Sequence, residues 1–101
     1  MIDTYQIKSD LKEIRYYYQM KKVFDSAVKI IKPQILLRKV ERYNSIVKTA
    51  PAKLFITYYS LYIEGNTHEA LAEEWGYSRT YITTLNEDLV NYLYLNLSTS
   101  E

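Results

Sequence analysis

Cysteine is absent from the 101 residues, which excludes disulfides and thiol catalysis and allows a reducing compartment. Histidine occurs once, as His68, so a histidine-rich zinc site is excluded and a Ser-His-Asp triad would depend on that one ring. Glycine and proline each occur only twice. A sheet with many hairpins needs more of both, because tight turns draw on glycine's positive φ and proline's fixed one. A few long helices are expected instead. No apolar run approaches the roughly 20 residues of a membrane span. The opening Met1-Ile2-Asp3-Thr4-Tyr5 has no basic-then-apolar leader pattern, and a cytoplasmic protein is expected. Phosphate-cradling glycine loops and metal-spaced clusters are missing. The neighbours Glu73-Glu74 and Glu87-Asp88 splay around a helix and do not pair for acid–base work. No catalytic residue, metal or cofactor is expected.

Two features are over-supplied. Tyrosine occurs 12 times; these rings are expected to fill a small core and its rim, burying carbon while keeping the hydroxyl wet. Charge is segregated, although the net value is only +1. Residues 1–56 hold 12 Lys/Arg against 5 Asp/Glu, a net of +7, whereas residues 57–101 hold Arg79 alone against seven acids, a net of −6.

Along the chain, Ile7, Leu11, Ile14 and Tyr18 recur at helical spacing, predicting a first helix over 3–32 with Pro33 ending it. A second helix, begun by Pro33, buries Leu36, Val40, Tyr43 and Val47 and stops near Lys48. Thr49 as N-cap with Pro51 in the first turn opens a third helix reaching about Ile63. Gly65 is suited to a left-handed cap. Thr67 caps a short fourth helix, Gly76 breaks it, and Ser78 caps a fifth that continues to about Leu97 before the end frays. The expected architecture is therefore all-α, about five helices in one unit. A basic N-terminal region (1–50) with a kink at Pro33 packs on a C-terminal module (51–97).

The informative stretch runs over 67–85. Two short helices cross steeply when a small residue sits at the close approach, a positive-φ residue makes the turn, and apolar residues pin one helix on the other. Ala72, Gly76, and the set Leu71, Trp75, Tyr77, Ile82 and Leu85 meet these needs. The pattern is that of a helix-turn-helix; an ordinary helical hairpin with a glycine turn is the plain alternative. Leu71, Trp75, Ile82, Leu85 and Leu89 are expected to be buried.

The resemblance extends to Tyr62, Glu64-Gly65, Thr67, Glu69-Ala70-Leu71-Ala72-Glu73 and Gly76-Tyr77-Ser78-Arg79. Over about residues 54–93 these positions resemble region 4 of the bacterial sigma-70 factors. A small protein pairing such a module with a helical, basic N-terminal half resembles the sigma-like regulators of phage and prophage late genes in Gram-positive bacteria, of the ArpU, RinA and LtrC type. The resemblance is specific over those roughly 40 residues, and the first 50 match only in being helical and basic. That resemblance implies a DNA-binding transcriptional activator working with RNA polymerase. The fifth helix departs from the pattern in being poor in Lys and Arg.

Candidate DNA contacts follow from helical geometry. With Ile82, Leu85 and Leu89 inward, Arg79, Thr80, Thr83 and Thr84 occupy the groove-facing side, joined by Tyr81 and by the cap Ser78. Arg79 suits a guanine or a phosphate, and the hydroxyls suit phosphates or thymine methyls. Each also reads as a solvated surface residue. The basic half is expected to help, with Arg38, Lys39, Arg42 and Lys48 folding beside the fifth helix as phosphate clamps, while Glu69, Glu73 and Glu74 point away toward polymerase or another regulator. A homodimer paired through the Ile7–Leu11–Ile14–Tyr18 stripe is expected, against a purely intramolecular role for it. The competing function is a protein-interaction module on the same scaffold without tight DNA binding of its own. Membrane-surface or single-strand binding through the basic half is the weaker third.

Overall fold

The computed structural model describes residues 3–23 and 34–100. In α1 (Thr4–Val23) the period of Ile7, Leu11 and Ile14 turns all three inward, almost entirely out of solvent. Asp3 caps its start, Oδ1 accepting from the Gln6 N–H at 2.8 Å. Tyr17 completes the buried stripe, where Tyr18 was expected. A step of three from Ile14 stays on the same face; Tyr18 sits at its edge, with its ring edge-on to Tyr17 at 5.2 Å between centroids. The expected continuation of this helix to Lys32, and Pro33 with it, lies outside the described residues.

Helix α2 (Gln34–Val47) buries Val40, Tyr43 and Val47 and leaves Leu36 half-buried. Thr49 does not cap the next helix. It closes α2: its hydroxyl bonds the Ile46 carbonyl at 2.7 Å and the Tyr92 hydroxyl at 2.6 Å. The cap of α3 (Ala52–Tyr58) is Pro51 itself, extended at φ −54 and ψ 146, and its carbonyl accepts from the Leu54 and Phe55 N–H groups at 2.9 and 3.0 Å. Thr49 lies two residues too early to reach those donors.

Helix α3 continues into a π-helical segment, Tyr59–Ile63. There the Glu64 N–H reaches back five residues to the Tyr59 carbonyl at 2.8 Å. The wider turn serves two cores. Tyr58 is buried in the larger one, Leu61 in the smaller, and Tyr62 packs against both. Gly65 then takes φ +82, and α1 clasps it. Arg15 Nη2 donates to the Gly65 carbonyl at 2.7 Å and Lys22 Nζ to the Glu64 carbonyl at 3.0 Å, placing cations on the carbonyl end of the helix.

Helix α4 (His68–Trp75) is capped by Thr67, whose side chain accepts from the Ala70 N–H. Gly76, left-handed at φ 76 and ψ 28, ends it. The Tyr77 N–H returns to the Ala72 carbonyl at 2.9 Å and the Gly76 N–H to that of Glu73 at 3.3 Å, the paired bonds of a Schellman turn. Helix α5 (Arg79–Ser100) extends three residues beyond Leu97. It serves both cores: Ile82 and Leu85 belong to the smaller, Leu89, Val90, Leu93 and Leu97 to the larger. The described residues thus form five helices and no strand, an all-α fold with α1 lying across the π segment and α5.

The tyrosines tie the larger core together. Tyr43 donates to Asp10 Oδ2 at 2.7 Å, and Asp10 Oδ1 accepts from Gln6 at 2.8 Å and from the Lys39 ammonium at 2.9 Å. Tyr58 donates to Asn44 at 2.6 Å, and Asn44 donates to the Tyr18 hydroxyl at 2.8 Å. The hydroxyls of Tyr43, Tyr58 and Tyr18 are therefore held by other side chains, whereas Tyr5, Tyr16, Tyr59, Tyr77 and Tyr94 are exposed. Burial pushes the Tyr43 and Tyr58 phenols well above the usual range.

Candidate nucleic-acid interface

The turn Gly76-Tyr77-Ser78 sets α4 and the first turns of α5 around a small aliphatic core of Leu61, Leu71, Ala72, Ile82 and Leu85. Trp75 is only half-buried against it, a correction to the expectation of a core indole. Trp75 is the last residue of α4, immediately before the Gly76 turn. Tyr77 is likewise no core pin: it is 56% exposed and rests on the Tyr81 ring at 4.6 Å.

With the aliphatic face inward, Ser78, Arg79, Thr80, Thr83 and Thr84 are all exposed and Tyr81 is half-buried. Their hydrogen bonds set them apart. Ser78 Oγ accepts from the Tyr81 N–H at 3.1 Å, capping α5. Thr83 Oγ1 meets His68 Nδ1 at 3.2 Å, and Thr84 donates back to the Thr80 carbonyl at 3.1 Å. Arg79 Nε lies 3.4 Å from Glu69 Oε1, with side chains 66% and 76% exposed. Glu69 therefore leans over the start of α5 and does not point away from it, because its position in the first turn of α4 overhangs Arg79. So exposed a pair adds little to stability.

The basic residues of α2 do not reach this end of α5. Lys39 is spent on Asp10 and Glu13, at 2.9 and 2.7 Å. Burial opposes its charge, yet the bonds to Glu13 and Asp10 prevail and hold its pKa above the usual value. Arg42 Nη2 bonds the Leu97 carbonyl at 3.5 Å, about 27 Å along the helix axis from Arg79 at 1.5 Å per residue. Lys48 adjoins Thr49, which is bonded to Tyr92, also toward the far end of α5. Arg38 is exposed on the same helix. The physical reason is the apolar stripe of α2, which belongs to the larger core and docks against the C-terminal half of α5. The Ile7–Leu11–Ile14 stripe is also consumed within the chain, so it does not offer the dimer seam expected of it.

The cations that do stand beside Arg79 come from α1. Lys8, Lys12 and Arg15 line a cleft of about 530 Å³ together with Thr67, His68 and Glu69 of the α4 start, Arg79, Thr83, Asn86 and Glu87 of α5, and Leu61, Tyr62 and Asn66. Lys8 bonds Glu87 at 3.2 Å. A signal for these residues existed in the sequence: each follows a buried position, Ile7, Leu11 or Ile14, by one. The cationic row therefore repeats the apolar stripe at its border. His68 reports the local field. Its pKa is lowered by burial first and then by the nearby Arg79 and Arg15 charges. The Tyr62 phenol, bonded to Asn86, is pushed up to about 12 by burial.

Among the described residues no cluster of three or more His, Cys, Asp or Glu is placed to hold a metal, and no helix is long and apolar enough to cross a membrane. Compared with protein-family models, with curated proteins and with solved structures, the chain matches none.

Proposed function

We propose that the chain is a double-stranded-DNA-binding transcriptional regulator built on a helix-turn-helix, with α5 entering the major groove. It acts in the cytoplasm of a bacterial host as a phage- or mobile-element-encoded activator of late genes, working with RNA polymerase and without enzymatic activity. One observation carries the reading: the exposed row Arg79, Thr80, Thr83 and Thr84 opens α5 right beside the cations of α1 that share its cleft. A groove-reading helix needs both parts. Arg79 and the hydroxyls supply base and register contacts, and Lys8, Lys12 and Arg15 supply the phosphate contacts that dominate affinity. The acids of residues 57–101 then do not have to be overcome by Arg79 alone.

A second reading, a protein-interaction module on the same scaffold, is favoured by the Arg79–Glu69 pair, which occupies the one cation of α5, and by exposed Glu73 and Glu74, which suit a basic partner surface. Fluorescence anisotropy against a pool of duplexes, repeated with rising salt, separates the two. Arg79→Ala is expected to weaken the selected site by roughly 1–3 kcal/mol at one base position if it reads a guanine. A uniform loss across sequences makes it a phosphate contact. Absence of duplex binding at low salt, with polymerase pull-down intact, overturns the DNA reading in favour of the module.

A further inference from the structure

The cleft between α1, the start of α4 and the start of α5 holds a surplus of positive charge that no other described residue neutralises. Its two carboxylates are already engaged, Glu87 with Lys8 at 3.2 Å and Glu69 with Arg79 at 3.4 Å. Lys12, which also lines it, makes no ion pair or hydrogen bond among the described residues. Arg15 uses Nη2 on the Gly65 carbonyl, but its Nε is buried without a hydrogen-bond acceptor. A guanidinium N–H withdrawn from water and left unbonded is costly, more so than a neutral donor. The site thus offers the exposed Lys12 ammonium, the positive charge of the Arg15 guanidinium whose Nε lies beneath the surface, and neutral donors from Thr67 and Asn86 around one concave surface. That donor set calls for a compact, multiply charged oxyanion.

We propose that this cleft is a phosphate seat, with Lys12 and Arg15 as its principal charges and Arg79 at its rim. The assignment stands whether or not the chain binds DNA. Two sources share the chemistry: a free phosphorylated small molecule, and a phosphodiester of a nucleic-acid backbone laid across the cleft. A bound phosphate competes with Glu69 for Arg79, so a free ligand couples the seat to the exposed face of α5.

His68 is the only histidine, so its ring proton resonance is unique, and the ring lines the cleft. Its pKa is depressed by burial and by Arg79 and Arg15. Lys8 and Lys12 add positive charge from α1, while Glu69 and Glu87 oppose it. An anion in the seat must raise that pKa. The test titrates the full chain with sodium pyrophosphate at matched ionic strength, following the His68 proton by NMR across pH. Saturable binding with an upward His68 pKa is expected. Lys12→Gln weakens it roughly tenfold or more, the worth of one charge-assisted bond. Lys53→Gln, an exposed cation on α3 outside the cleft, leaves it unchanged. A short duplex DNA is then added. Competition with pyrophosphate assigns the seat to backbone phosphodiesters; binding without competition, or no duplex binding, assigns it to a free phosphate-bearing molecule. No saturable shift of the ring signal, or equal weakening by Lys12→Gln and Lys53→Gln, overturns the proposal, since the latter is general screening and not a site.

Discussion

The two cores of this chain are held by different means. The larger, beneath α1, α2 and the C-terminal half of α5, interleaves aliphatic side chains with hydroxyls that find partners inside the protein: Tyr43 on Asp10, Tyr58 on Asn44, Asn44 on Tyr18. The smaller, beneath the π segment, α4 and the start of α5, has five buried members and all are aliphatic. Apolar burial is non-directional and roughly proportional to area, whereas a satisfied polar network fixes geometry because its alternatives leave buried groups unpaired. The α2 side is therefore specified by hydrogen bonds. The pair α4 and α5, which carries the candidate interface, packs on a purely aliphatic core with its angle set by the Gly76 turn, and its polar contacts, His68 with Thr83 and Glu69 with Arg79, lie at the exposed rim.

The comparison breaks most sharply at Leu71, which is wholly buried in the smaller core. Leu71→Ala is expected to cost roughly 2–5 kcal/mol, read as a lowered urea midpoint. Trp75→Ala should cost less than the roughly 3–5 kcal/mol of a fully buried indole, since Trp75 is half-exposed. A Trp75→Ala loss equal to or above that of Leu71→Ala would show that the indole, not the aliphatic cluster, pins the pair.

The two glycines sharpen the comparison next. Both sit at positive φ, 82 for Gly65 and 76 for Gly76, so alanine at either is strained by roughly 1–2 kcal/mol. A Cβ at Gly76 meets nothing within 4 Å, whereas at Gly65 it would lie 2.1 Å from Gln19 Nε2. Gly65→Ala must also push the Gln19 amide aside, which the far end of a flexible side chain does at less than the roughly 1–3 kcal/mol of core overpacking, a small added cost that Gly76→Ala lacks. Repeating Gly65→Ala in a Gln19→Ala background should remove the added cost and leave the strain. If the two single variants unfold at the same midpoint, α1 does not grip the 64–66 loop as tightly as the distances say.

Both glycines were legible in the sequence, because positive φ is a local demand that a single residue type meets. So were the caps Thr67 and Ser78 and the inward set Ile82, Leu85 and Leu89, all consequences of spacing within one helix. What escaped was set by distant partners. Thr49 has the composition of an N-cap, but Pro51 takes that place and Tyr92, 43 residues away, draws its hydroxyl. Lys39 reads as a phosphate clamp until Asp10 and Glu13 are brought to it. Lys8, Lys12 and Arg15 read as an ordinary solvated face until α1 is laid along α5. Periodicity states which face is buried, and not which neighbour covers it.

On the larger core, Tyr43→Phe should cost roughly 1–3 kcal/mol by leaving the buried Asp10 without its phenol donor. It should also flatten the alkaline limb of stability. The Tyr43 and Tyr58 phenols are raised chiefly by burial, so above about pH 10 the unfolded chain has released protons that the folded chain still holds. Stability from these groups is complete below that pH and is lost as pH rises further. Equal alkaline limbs for wild type and Tyr43→Phe, measured by urea unfolding at successive pH values, would place the titration elsewhere.

The smallest expected effect belongs to the smaller core's rim and runs in the acid direction. The His68 pKa is lowered by burial, then by Arg79 and Arg15, so the folded chain resists the proton that the unfolded chain accepts near pH 6.5. Below that value the unfolded state binds more protons, and stability falls as pH falls; above it the contribution is fully present. His68→Gln keeps a group able to bond Thr83, which His68 Nδ1 now meets at 3.2 Å, while removing the titration. The difference between wild-type and His68→Gln stability, followed from about pH 7 to about pH 5, isolates this ring from the carboxylates that titrate in both proteins. The wild type should lose more over that interval, and Arg79→Ala should narrow the gap by removing one of the two charges that repel the imidazolium. Parallel pH profiles for wild type and His68→Gln would mean that the charges lining the cleft are screened before they reach its only histidine, and would leave the contrast between the two cores one of packing alone.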